Sequence, residues 1–126
     1  MRAVDTNILV RLIARDDERQ TIAAEAFIAG GAWVSHIVLV EAMWVLASAY
    51  EQPSAKIATA VEILLAHRDL TLQEPEVVAA ALDRFRERPK LGFSDCLILE
   101  VARRAGHLPL GTFDRDLAKL HGTTKL

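Results

Sequence analysis

The chain has 126 residues, 52% of them apolar, a formal net charge of −2 and one cysteine, Cys96. The length suits one domain with a real core. The single cysteine excludes an internal disulfide and a cysteine-based zinc site, and the near-neutral balance leaves any nucleic-acid contact to local basic patches. No apolar run reaches the roughly 18–20 residues of a membrane span, and the start lacks a secretory signal pattern, so a reducing cytoplasm is expected.

In chain order, residues 2–5 read as a short buried strand and 6–14 as a helix, with Ile8, Leu9, Leu12 and Ile13 at helical spacing. Asp16-Asp17-Glu18 opens a second helix, where acids suit the positive end of the dipole, and Gly30-Gly31 ends it. "AWVS" (32–35) reads as a second strand, followed by a long helix over about 36–50 that Pro53 breaks. "PSAKIATAVEILLAHR" is an amphipathic helix and "LTLQE" (70–74) alternates like a strand. "PEVVAAALDRFRER" starts on Pro75 and runs as a helix to Pro89. "SDCLILEVARRAG" is a helix that Ser94 can cap and Gly106 can close. "LPLGTF" (108–113) is a strand, "DRDLAKLHG" a short helix and "TTKL" a last edge strand. Strands alternate with helices without a linker or repeat. The class expected is α/β: one domain over 1–126, with a mainly parallel central sheet covered by helices on both faces.

Most acids have easy explanations as solvated surface: Asp16, Asp17, Glu18, Asp83, Glu87, and Glu100, which can pair with Arg104 one turn on. Four resist. Asp5 follows the first strand. Glu41 is the only charge in "IVLVEAMWVLA", and a helix there cannot turn it to water without exposing large neighbours. Asp95 lies in "LGFSDCLIL", and Asp114 follows "LPLGTF" at a strand end. Each has a plain alternative: a cap at Asp5, at Ser94-Asp95 or at Asp114, and a buried ion pair at Glu41. Together they point to chemistry, because parallel sheets place ligands at the carboxyl ends of their strands. If the four converge, they repel, and a hard divalent cation resolves the repulsion; Mg²⁺ and Mn²⁺ favour carboxylate oxygens and leave room for a phosphate. The acids, if clustered, suggest phosphodiester chemistry.

"VDTNILVRLI", "SHIVLVEAMWVL", "FSDCLILEVARRAG" and "LGTFDRDLAKL", in that order and spacing, resemble the four motifs of PIN-domain nucleases and, more narrowly, toxins of the VapBC toxin–antitoxin type. The resemblance implies Mg²⁺- or Mn²⁺-dependent endonucleolytic cleavage of RNA. It places the family's acids at Asp5, Glu41, Asp95 and Asp114, with Thr6, Asn7, Ser94, Thr112 and Asp116 in support. Asp5 is then a ligand at a strand end, with Thr6 as the helix start. Asp5 and Asp95 would bind the metal, and Glu41 and Asp114 would complete the shell directly or through water. The resemblance also implies a homodimer and a cognate antitoxin that covers the acidic groove. The apolar faces of "VEAMWVLASAY" and "IATAVEILLAH" point independently to a homodimer.

The run "DRFRERPK" is either an exposed helix end or an RNA-contacting rim through Arg86, Arg88 and Lys90. Trp33, Trp44 and Phe85 read as packing groups, Cys96 as a small core residue, and the four histidines as solvent-facing or capping. A non-catalytic interaction module is the alternative reading. An aspartyl-nucleophile phosphohydrolase is disfavoured because Asn7 stands where its second aspartate belongs, and a receiver-type phosphoacceptor because it expects an early adjacent acid pair and a late lysine.

Overall fold

The apolar spacing of Ile8 to Ile13 produces α1 (Thr6–Ala14) in the computed structural model, which describes residues 1–126. The chain divides into two compact units, Met1–Pro75 and Glu76–Leu126.

In the first unit, three short strands, β1 (Arg2–Ala3), β2 (Ala32–Val34) and β3 (Leu70–Leu72), pair in parallel in the order β1-β2-β3. Ala3 is level with Trp33, and Trp33 with Thr71. The central and third strands alternate: Ala32, Val34, Leu70 and Leu72 are buried, and Trp33 and Thr71 face out. The first strand departs from expectation. Arg2 and Ala3 are both exposed, and only Val4, just past the strand, is buried, its N–H reaching Trp33 O at 3.2 Å. Arg2 places its guanidinium 4.1 Å from the Phe27 ring centroid.

Helix α2 (Glu18–Ile28) starts on the Asp17 cap, whose side chain accepts from Gln20 N. Gly30 (φ +89°) and Gly31 (φ +114°) then turn the chain through a conformation that suits glycine. Helices α3 (His36–Ser48) and α4 (Ser54–Ala66) follow, separated near Pro53. α1 packs on α2 and α3, and α3 packs on α4. Leu9, Ile28, Val34, Leu39, Val61 and Leu64 are at most 1% exposed. Each such side chain contributes about 1.5–3 kcal/mol by leaving water.

In the second unit, α5 (Pro75–Glu87) and α6 (Phe93–Ala105) bury Val78, Leu82, Phe85, Leu97 and Leu99. Phe85 meets Phe93 edge to face, centroids 6.0 Å apart. Gly106 closes α6 in the left-handed region (φ +82°), as expected. Strands β4 (Leu110–Thr112) and β5 (Thr123–Lys125) form a parallel pair of their own. The chain is therefore α/β with parallel pairing throughout, but three strands lie in one sheet and two in another. "DRDLAKLHG" is a single 3₁₀ turn, Leu117–Lys119, not the short helix expected; the Asp114 side chain takes the N–H groups of Asp116 and Leu117 in a local turn. No helix is long and apolar enough to cross a membrane.

Candidate functional site

Two of the four acids lie in each unit. In the first, Asp5 stands just beyond the end of β1 and caps α1: its Oδ1 accepts from Ile8 N at 3.3 Å. Capping and ligation are not exclusive here, because Oδ2 carries no intramolecular bond and the residue is exposed. Thr6 opens the helix as expected, half-buried, and Asn7 beside it is exposed.

Glu41 corrects the sequence-based expectation. It is exposed, and it reaches water because its helix leaves large neighbours outside: Ile37, one turn earlier, is 78% exposed and Trp44, one turn later, 67%. Trp44 and Trp33 are thus not core groups, whereas Phe85 is. No buried ion pair holds Glu41.

In the second unit, Asp95 lies in the first turn of α6, partly buried. Ser94 does not cap this helix; Gly92 occupies the cap position and no side chain bonds there, since the helix starts one residue earlier, at Phe93. Burial, and then the negative charge of Asp114, push the Asp95 carboxyl above its ordinary value. Asp114 is tightly fixed: its Oδ1 accepts from Asp116 N at 2.8 Å and Leu117 N at 2.9 Å, and its own N–H donates to Thr112 Oγ1 at 2.9 Å. Asp116 forms an ion pair with Lys119 at 3.5 Å. Next to Asp95, the Cys96 thiol is fully buried and pushed up to about 11, chiefly by burial, which makes it inert packing.

Glu100 is the buried acid that sequence reasoning placed on the surface. It is 6% exposed and lies between Arg103 Nε, 3.2 Å from Oε2, and Arg84 Nε, 3.7 Å from Oε1. Arg104, its expected partner, pairs instead with Glu76 at 3.1 Å. A signal existed in "FSDCLILEVARR": position 100 falls on the same helix face as Cys96 and Leu97.

No lysine or arginine forms an ion pair with Asp5, Glu41, Asp95 or Asp114. Neither unit by itself gathers three metal-ligating side chains. Asp114 adds its negative charge to the burial that disfavours ionised Asp95. Carboxylate oxygens such as these are hard donors, which suit Mg²⁺ or Mn²⁺ better than zinc or a redox metal. Arg86, Arg88 and Lys90 are exposed at the end of α5 and just after it. A cavity of about 270 Å³, lined by Glu25, Ile28, His67, Arg68 and Asp69, includes none of the four acids.

Residues that sequence reasoning missed include Gln73 and Tyr50, which hold the two ends of α3. Neither sits in a motif, so no local signal marks them.

The chain matches the family model described as "PIN domain" over residues 2–122. No curated protein and no solved structure gives a significant match.

Proposed function

The chain belongs to the PIN-domain family, whose fold is nuclease-like, and from that premise we propose that it is a Mg²⁺- or Mn²⁺-dependent endoribonuclease acting in the cytoplasm as the toxin of a toxin–antitoxin pair. The observation that carries the proposal is the family match over residues 2–122, within which burial and then the charge of Asp114 disfavour ionised Asp95 and no ion pair relieves either acid. Asp5 and Asp95 would offer carboxylate oxygens to the cation, and Glu41 and Asp114 would add donors directly or through water, one of them serving as general base. A bound Mg²⁺ or Mn²⁺ supplies a low-pKa water and neutralises charge on the phosphate. Thr6, Asn7, Ser94 and Asp116 support the acids, as Thr112 does by holding the backbone of Asp114. Arg86, Arg88 and Lys90 contact RNA phosphates.

The exposed Ile37 and Trp44 of α3 and Ile63 of α4 support a homodimer through those helices. A monomer at micromolar concentration by light scattering would contradict it. The cognate antitoxin neutralises the chain by covering the acidic groove.

New RNA 5′ ends mapped in cells after brief induction test the nuclease. Ends at one or a few sites with the wild-type chain, absent with Asp95→Asn, are expected. No difference between two folded proteins, with no antitoxin present, would favour the catalytically silent interaction module, for which the exposed face around Trp44 is the natural surface.

A further inference from the structure

Polar contacts grip α3 at both ends. At its start, Ser35 Oγ accepts from Val38 N at 3.1 Å. Gln73, just past β3, adds two more: its Oε1 accepts from His36 N at 2.9 Å, and its carbonyl oxygen lies 2.8 Å from His36 Nε2. At the other end, Tyr50 donates its hydroxyl to Asp16 Oδ2 at 2.8 Å and accepts from Arg11 Nη1 at 3.1 Å. Arg11 closes the triangle on Asp16 Oδ1 at 3.2 Å. Arg11 belongs to α1, the helix that Asp5 caps. The bond that Tyr50 donates is the main reason that the Asp16 carboxyl lies below its ordinary value, and the bond that it accepts from Arg11 is the main reason that the guanidinium lies above its own.

Between these grips, Glu41 has no ion pair, and the neighbours on its face are exposed. Its position relative to Asp5 is therefore set by how α3 is seated against α1. The tolerance is small. A helix whose side chains end about 6 Å from its axis moves a carboxylate by about 2 Å on a 20° turn, comparable with a Mg–O bond of about 2.1 Å.

We infer that Gln73 and Tyr50 are positioning residues for Glu41, seating α3 on β3 and α1 so that Glu41 and Asp5 serve the same divalent cation. The inference rests on the metal-dependent reading above. It reaches beyond the four acids to two side chains outside the proposed donor set.

The test measures Mn²⁺ binding to the full chain by electron paramagnetic resonance, without RNA, in Tyr50→Phe, Gln73→Leu, Glu41→Gln and the two doubles that combine Glu41→Gln with each. Tyr50→Phe keeps the ring and its packing, and far-UV circular dichroism checks the fold of every variant. Tyr50→Phe and Gln73→Leu are each expected to weaken Mn²⁺ binding roughly three- to tenfold, less than the loss of a group bonded directly to a ligand. In the Glu41→Gln background neither should weaken it further, because their effect passes through Glu41. A loss from general loosening would persist undiminished there, and that result overturns the inference. So does unchanged Mn²⁺ affinity in both single variants. If Glu41→Gln itself binds Mn²⁺ like wild type, Glu41 leaves the metal set and the proposed function loses that residue. If Glu41→Gln is impaired while the two grip variants are not, the proposed function stands and only the positioning role falls.

Discussion

Asp95 and Glu100 lie five positions apart on α6 and meet opposite electrostatic fates. Glu100 is the more deeply buried, yet two guanidinium groups face it, and Arg103 also donates to His121 O at 2.7 Å, tying α6 to the segment that leads into β5. Asp95 is less buried, yet its charged neighbour is another carboxylate, Asp114. Burial alone therefore does not separate the two acids. The charge each one faces does, and a carboxylate beside another carboxylate is the one whose ionised form folding disfavours.

The largest expected effect separates the two acids by activity. Asp95→Asn should lower metal-dependent RNA cleavage by about 10³-fold or more, while Glu100→Gln stays within about tenfold of wild type as long as it folds. Equal losses measured on purified protein would erase the distinction between a reactive acid and a structural one.

Stability should show the reverse ranking. Arg103→Met leaves the buried Glu100 with only the longer contact to Arg84 and frees a backbone carbonyl, so it should destabilise the fold by about 2 kcal/mol in urea titration. That figure is set below the usual range for a buried pair because Arg103 is about one-third exposed.

Asp95→Asn should instead raise the Tm by about 2–4 °C at pH 7. The sign follows from linkage. A carboxyl held above its unfolded value favours the folded state most fully below that unfolded value, and the advantage is lost as pH rises through the raised value. At neutral pH the ionised Asp95 thus subtracts from stability, and asparagine removes the penalty. The gap between variant and wild type should close as pH falls toward about 4. A gap independent of pH would mean that packing, not charge, separates the two proteins.

The smallest effect concerns the neighbouring helix. Arg84 pairs with Glu100 and Glu87, and Arg86 and Arg88 are exposed at and just past the end of α5. Charge reversal at Arg86 and Arg88 should weaken RNA binding and reduce the slope of log affinity against log salt by about 1–2. An unchanged slope would remove them from the RNA surface.

Much of this was legible in the sequence where the signal is local. The apolar period of α1, Pro75 at the start of α5 and Gly106 at the end of α6 each depend on residues within a turn or two, and each stands where expected. The four acids stand out in the sequence because each interrupts an apolar context. What failed depends on distant partners. Glu100 is buried because α5 brings Arg84 to it, and Glu41 is exposed because nothing in the chain covers Ile37 and Trp44. The strands were located but not their division into two sheets, since pairing is decided by packing across the chain.

Asp5 and Asp114 share one economy of design. Each uses Oδ1 to complete a turn, at Ile8 N in the first case and at Asp116 N and Leu117 N in the second. Asparagine retains that oxygen and discards the charge; alanine discards both. Drift away from catalysis would then follow a narrow channel. A descendant of this chain released from any need for these charges could accept asparagine at positions 5 and 114 with its turns intact. Alanine there would damage local structure along with chemistry, by about 1 kcal/mol per lost cap.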